Sequence, residues 1–412
     1  MFEYRNGELW AEDVAVERIV EEVGTPVYIY SKAHFVSQFK RFDDAATRNH
    51  TICFAVKANS NLSVVNVFAQ LNAGADIVSK GELFRALKAG IKPENIVFSG
   101  VAKTKDEIAY ALENNIKMIN VESEDELYAI DEVAKSLNKK APIAFRINPD
   151  VDPKTHPYIS TGLKKNKFGV PYDEALELYE KANKLDGIEI VGVQFHIGSQ
   201  LLDTTPIYDA SVRIAKLIEA LNDRGIKIKI VDVGGGVGIV YDEKTDKEPD
   251  VNKYVSDVEK AFENFDVEIV FEPGRFLVGN GGILVSRVVY HKKNLNKRFL
   301  IVDAGMNDLL RPSLYSAYHR IAPVKLTGSE RIVCDIVGPI CETGDFFARD
   351  YEIEDVPNSG LIAVFSAGAY GFTMASNYNS RPRAAEVMVD GNSFKIIRKR
   401  ESLEDLIAGE VL

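Results

Sequence analysis

The sequence predicts an α/β protein built from a (β/α)8 barrel and a second, mainly antiparallel β domain. Three observations carry this reading. From about residue 50 to residue 273, eight short β-branched runs recur, separated by turns and amphipathic helical stretches. After Arg275 the texture changes to alternating runs punctuated by Gly, Pro and Asn. At 412 residues the chain is also too long for one ordinary core, so two domains are the natural division.

The barrel strands are expected, in order, at TICFAVK (51–57), ADIVS (75–79), NIVFSG (95–100), KMINVES (117–123), PIAFRIN (142–148), EIVGVQFHIG (189–198), KIVDVGG (229–235) and VEIVFEP (267–273). Helices are expected between them at SKGELFRALKAG (79–90), SEDELYAIDEVAKSL (123–137) and YDASVRIAKLIEALNDRG (208–225). In the last, Val212, Ala215, Ile218 and Leu221 repeat at helical spacing. A series of this length suits a closed barrel; an open doubly wound sheet, usually of about five to seven strands, is the competing reading. The later runs, among them GGILVSRVVYHKK, KRFLIVDAG, ERIVCDIVG and AAEVMVDG, read as antiparallel strands, with a short helix at SLEDLIAG. The first 30 or so residues hold PVYIY but no βα unit, so they are assigned to the second domain. The expected division is residues 30–278 for the barrel and 1–29 plus 279–412 for the β domain. The stretch 150–170 is long and irregular for a barrel loop and reads as functional.

Composition narrows the function classes. Hydrophobic residues make up 46% and charged residues 27%, ordinary for a globular chain. A net charge of -11 argues against nucleic acid as a partner, because phosphate backbones call for a basic face. MFEYRNGELW lacks the basic and apolar regions of a signal peptide, and no run of about 18 apolar residues predicts a membrane span. Three cysteines without a CxxC pair fit neither a disulfide framework nor a zinc site. A cytoplasmic protein with reduced thiols and no metal is expected.

Barrel enzymes work at the strand ends that face the βα loops. The polar residues there are Lys57, Asp76, His196, Gly234, Gly235, Gly236, Glu272 and Arg275. Lys57 taken alone is a strand-end cation reaching water. In an apolar barrel mouth with cationic neighbours it would instead be a neutral amine able to form a Schiff base. DVGGGVG fails the dinucleotide pattern, because Ile239 stands at the third glycine position. It is either a plain turn or a place where backbone N–H groups approach a phosphate closely. In FEPGR, Glu272 and Arg275 could form a surface ion pair, or Glu272 could keep a pyridine nitrogen protonated. His196 in HIGSQ is by itself an ordinary structural hydrogen bonder. Cys341 and Glu342 lie in CETGD and Tyr370 in GAYG; a free cysteine is usually a small buried residue, and Cys334 is assigned to that role.

These motifs in this order (FAVKAN, HIGSQ, GGG, EPGR, CETGD, GAYG) resemble the fold-type III pyridoxal-phosphate decarboxylases, whose barrel is of the alanine racemase kind. RPSLYSAYHRI (311–321) is most similar to the diaminopimelate-specific branch, and the likeness runs from about residue 25 to the end. The resemblance implies pyridoxal 5'-phosphate on Lys57, with His196 stacked on the ring, Glu272 facing the pyridine nitrogen and Asp76 near the lysine. It implies that Ser199, Gly235, Gly236, Gly274 and the backbone at Arg275 hold the phosphate. Arg275, Arg311, Tyr315, Glu342 and Tyr370 would then contact substrate or cofactor, and Cys341 would protonate. It further implies a homodimer with shared active sites, Cys341 and Glu342 coming from the partner chain.

The implied reaction is decarboxylation of meso-2,6-diaminopimelate to L-lysine and carbon dioxide, the last step of lysine biosynthesis. The far end of that substrate is an amino acid, which calls for a carboxylate clamp and an ammonium partner. Arg311 suits the first, because a guanidinium forks onto a carboxylate, and Glu342 suits the second. A relative acting on carboxynorspermidine or ornithine, a non-enzymatic pyridoxal-phosphate carrier and a nicotinamide oxidoreductase are the alternatives. The long second domain counts against the carrier and the failed glycine pattern against the oxidoreductase.

Overall fold

The computed structural model describes residues 1–151 and 167–412; most of the 150–170 stretch therefore lies outside the described residues. Contacts divide the chain into two compact units, Gln38–Ile239 with Lys247–Phe276, and Met1–Ser37 with Val240–Asp246 and Leu277–Leu412.

The first unit is a closed parallel barrel of eight strands. They are β1 (His50–Ala55), β2 (Gly74–Ile77), β3 (Ile96–Phe98), β4 (Met118–Val121), β5 (Ala141–Asn148), β6 (Ile188–Gln194), β7 (Ile230–Asp232) and β8 (Glu268–Phe271). Each pairs in parallel with the next, and β8 pairs with β1, so no edge is left open. The runs are apolar on both faces because one face meets the bore and the other the helices. Cys53, Val97, Met118, Ala144, Val191 and Val270 pack together as a buried cluster drawn from six strands. Several helices begin directly after a strand on a capping side chain. Ser79, Thr104 and Ser123 accept from the N3 amides of Glu82, Glu107 and Glu126. Ser79 and Ser123 come two residues after their strands end, so these caps set where the chain turns from strand to helix at the barrel mouth.

One strand end differs from the sequence expectation. The first strand stops at Ala55, and Lys57 sits in a short 3-10 turn, Val56–Ala58. The backbone arriving from β8 lies against this point: Ala55 N–H bonds Pro273 O at 3.2 Å, and a Cβ on Gly274 would stand 3.0 Å from Ala55 Cβ and 3.1 Å from Ala58 Cβ. A side chain at Gly274 would crowd both alanines, so glycine eases the approach beside which the lysine is carried on the turn.

The second unit holds a mainly antiparallel sheet. Its strand order is Phe346–Glu354, Arg331–Val337, Lys297–Val302, Gly282–Asn294, Val27–Ser31, Ala385–Asp390, Ser393–Arg398. Two of the pairings are parallel. The PVYIY run supplies Val27–Ser31 in the middle of this sheet, buried on both faces. A buried cluster including Leu9, Val16, Ile29, Val285, Ala363 and Val387 forms its core. The helix expected near the end is Leu403–Ile407, opened by a capping box between Ser402 and Asp405. Among the described residues no helix is long and apolar enough to cross a membrane.

Candidate active site

The barrel mouth gathers the residues expected there. Lys57 Nζ lies 2.5 Å from Asp76 Oδ2 across the β1–β2 boundary. Asp76 is fully buried, while the lysine side chain is 41% exposed. The surroundings differ from the apolar, cationic setting expected from sequence, because β2 places a carboxylate directly against the amine. The other oxygen, Asp76 Oδ1, is buried and has no hydrogen-bond partner among the described residues. Glu82, one turn into the next helix, accepts from Val78 N–H at 2.8 Å. Burial raises its carboxyl to about 7, against the opposing effects of that amide and of Lys57.

Below Lys57 the bore is polar. Glu272 follows β8 and Asp232 ends β7; both are buried, and each carboxyl feels the other's charge. Burial drives the Glu272 carboxyl well above the usual range, and the charges of Asp232 and Asp76 push it further, outweighing Lys57. Asn120 Nδ2, from β4, donates to Asp232 Oδ2 at 3.3 Å and to Ser99 Oγ at 3.1 Å. Ser99 Oγ in turn donates to Glu272 Oε1 at 3.5 Å. Asp232, Asn120 and Ser99 were not singled out from sequence. Their signal was a polar side chain at an inward position of an otherwise apolar strand.

The loops after β6, β7 and β8 interlock. Leu201 N–H bonds Gly236 O at 2.9 Å, Gly238 N–H bonds Leu201 O at 3.0 Å, and Glu272 N–H bonds Gly234 O at 2.9 Å. A Cβ on Gly235 would meet Glu272 O at 2.2 Å, and one on Gly236 would meet Gly198 O at 2.3 Å. Gly236 also has φ +110°, which side-chain-bearing residues avoid. Gly235 N–H donates to His196 Nδ1 at 3.3 Å, which leaves the proton of the neutral imidazole on Nε2. Burial holds His196 well below the ordinary histidine range, reinforced by Arg146 and Lys57, so the ring is neutral near pH 7. Arg275 Nη2 donates to Ser199 Oγ at 3.1 Å. Arg146, on β5, is a further buried cation here, bonded to Glu122 at 3.1 Å and 4.7 Å from the Phe168 ring. Within PIAFRIN it gives no sign in the sequence, being one charged residue in an apolar run.

This donor set fits a phosphorylated pyridine aldehyde. There is a lysine amine for the aldehyde, a flat neutral imidazole, a buried carboxyl, and a glycine turn beside Ser199 and Arg275. The glycines are needed for the turn to pack this closely, and the buried Asp76 Oδ1 is left without a hydrogen-bond partner among the described residues.

The remaining expected residues lie in the second unit. Arg311 opens the short helix Arg311–Tyr315 and is 6% exposed. Its guanidinium carbon is 4.9 Å from the Tyr241 ring centre and 5.9 Å from that of Tyr315. Arg311 Nε donates to His319 Nε2 at 3.4 Å, and His319 Nδ1 is 2.8 Å from Phe365 O. Tyr241 and His319 were missed in the sequence, Tyr241 because it lies in the excursion Val240–Asp246, far along the chain from Arg311. Cys341 and Glu342 are exposed, unlike the buried cysteine that composition favours; Cys334 is buried as assigned. Their loop is tied down by Asp345, whose carboxylate accepts from Met306 N–H and Ile340 N–H, both at 2.6 Å. Tyr370 is partly buried with φ +55° between its two glycines.

Residues 32–279 match the family model described as pyridoxal-dependent decarboxylase, pyridoxal binding domain. A protein of Aquifex aeolicus named diaminopimelate decarboxylase is 51% identical over 409 residues, covering 98% of this chain and 96% of its own. One of Pseudomonas aeruginosa with the same name is 50% identical over 412 residues, covering 100% and 99%. The crystal structure of diaminopimelate decarboxylase from Helicobacter pylori complexed with L-lysine superposes with a TM-score of 0.92 at 48% identity, covering 95% of this chain and 98% of that one. The chain therefore belongs to the diaminopimelate decarboxylase family of pyridoxal-dependent decarboxylases.

Proposed function

We propose that the chain removes carbon dioxide from the D-configured end of meso-2,6-diaminopimelate and releases L-lysine, the last step of lysine biosynthesis, in the cytoplasm. Bound pyridoxal phosphate supplies an electron sink for the pair left behind when the carboxylate departs. Lys57 Nζ holds the cofactor, and Asp76 keeps that amine at the mouth when substrate takes its place. Glu272 offers its carboxyl to the ring nitrogen and His196 offers a neutral face. Ser199, Gly235, Gly236, Gly274 and Arg275 hold the phosphate.

The observation that carries the substrate is Arg311. It is buried, lies near two tyrosine rings and is bonded to His319, and a guanidinium is the side chain whose planar fork matches a carboxylate. Tyr315 and Tyr370 line that end, and Glu342 takes the distal ammonium. Cys341 Sγ delivers a proton to the α-carbon as general acid. Exposure of Cys341 and Glu342 supports a homodimer in which these two residues complete the partner's site.

The test is substrate isotopically labelled in the carboxyl of its D centre. All label should leave as carbon dioxide; label retained in lysine would mean that the other end reacts. For the shared site, the inactive variants Lys57→Ala and Cys341→Ala are mixed and allowed to exchange subunits. Recovery of up to about a quarter of the wild-type rate is expected for a two-fold dimer with one intact site per mixed pair, and no recovery would place each site within one chain.

A further inference from the structure

Beneath the lysine, two buried carboxyls that should repel are linked side by side through Asn120 and Ser99. Asp232 and Glu272 are 0% and 6% exposed. Two anions in contact in such a place are untenable, so one proton must lie between them. Asp232 is engaged on its other sides as well. Its Oδ1 accepts from Gly234 N–H at 2.9 Å, and its Oδ2 accepts from Asn120 Nδ2 at 3.3 Å. Asn120 reaches Ser99, and Ser99 reaches Glu272, so the four side chains close a ring. Asp232 thus touches both the carboxyl offered to the cofactor ring and the first amide of the glycine turn offered to its phosphate.

We propose that Asp232 is a positioning residue: through one proton shared with Glu272 and through the Gly234 amide, it locks the ring-facing carboxyl and the phosphate-facing turn into one unit. Glu272 is then held protonated against Asp232 while the site awaits cofactor, and its rotamer is fixed by the ring of hydrogen bonds. Other titratable groups facing the pair are Asp76 from β2, Cys53 and Lys57 from β1 and the turn after it, and Tyr254 from the helix Val251–Ala261. The first adds repulsion, Lys57 opposes it, and the thiol and phenol stay neutral because burial raises both.

The inference rests on the proposed cofactor placement, but its main test does not. Infrared spectra of the cofactor-free protein are followed with pH in wild type, Asp232→Asn and Glu272→Gln, and the difference spectra are compared. Buried carboxyls such as Glu82 contribute protonated-carboxyl bands of their own near neutral pH, so the reading is the difference: one such band of wild type should be absent in Glu272→Gln. In Asp232→Asn the midpoint of that band should fall to lower pH, because the neighbouring negative charge is gone. No such band, or a midpoint unmoved in Asp232→Asn, overturns the shared proton. In a second arm, pyridoxal phosphate is titrated into the cofactor-free proteins. Asp232→Ala should weaken binding at least tenfold, and Asp232→Asn, which still accepts from Gly234, should recover most of that loss. Equal binding by all three proteins overturns the positioning role. Should lysine formation fail while both arms hold, the functional reading falls and the carboxyl pair stands.

Discussion

Gly236→Ala places a methyl group where the barrel loops are most tightly interlocked. The new Cβ would stand 2.3 Å from Gly198 O and 3.1 Å from Leu201 Cδ1. An ordinary carbon–oxygen contact is about 3.3 Å, so the two loops must part by roughly 1 Å. The residue also keeps φ at +110°, a region that costs a side-chain-bearing residue about 1–3 kcal/mol. The hydrogen bonds between Leu201 and Gly236 and between Gly238 and Leu201 carry the displacement towards Ser199. If about 1.5–3 kcal/mol of this strain falls on the phosphate-holding form of the turn, cofactor affinity drops about 10- to 100-fold. Fluorescence titration of cofactor-free protein with pyridoxal phosphate reads the loss directly. A parallel thermal melt should fall by about 2–4 °C per kcal/mol. An unchanged dissociation constant beside a lowered melting temperature would refute the phosphate role and leave the turn purely structural.

Lys57→Ala should abolish the absorbance band of the lysine-bound cofactor; an unaltered spectrum would remove Lys57 from its assigned role. Cys341→Ala should keep the cofactor and slow turnover by roughly 100- to 10,000-fold, the range typical of a general acid, and near-normal kcat would exclude it. His319→Phe removes the acceptor that orients Arg311. A hydrogen bond to a charged group contributes about 1.5–3 kcal/mol, so KM should rise at least about tenfold with cofactor affinity unchanged. Loss of substrate and cofactor affinity together would point to general loss of folding. His196 is held neutral by burial, with a folded-state pKa below the unfolded value of about 6.5. The unfolded chain therefore binds the extra proton first, and stability conferred at neutral pH declines as pH falls below about 6.5. His196→Gln should flatten that part of a urea-midpoint profile between pH 8 and 5, and an identical slope would show that His196 does not titrate as described.

The barrel was legible because its eight strands are buried on both faces and therefore read as short apolar runs. The strand ends were less so: Lys57 leaves β1 early beside Gly274, a neighbour more than 200 positions away. The same limit explains the electrostatic setting of Lys57. The residues alone supply the amine and the resemblance puts Asp76 near it; the pairing of β1 with β2 brings the carboxylate directly against it. Asp232 was in view within DVGGG and drew no attention, since its meaning lies in Glu272, Asn120 and Ser99 on three other parts of the barrel. Arg311 was identifiable from its motif, whereas His319 could have been found eight residues on and Tyr241 could not.

The most direct measurement is lysine and carbon dioxide release by purified protein supplied with pyridoxal phosphate, comparing meso-diaminopimelate with ornithine, lysine, arginine and carboxynorspermidine. The assigned reaction requires lysine and carbon dioxide in equal amounts from diaminopimelate and no turnover of the other four. A yellow, cofactor-loaded protein that leaves diaminopimelate intact, or that prefers one of the others, would contradict it.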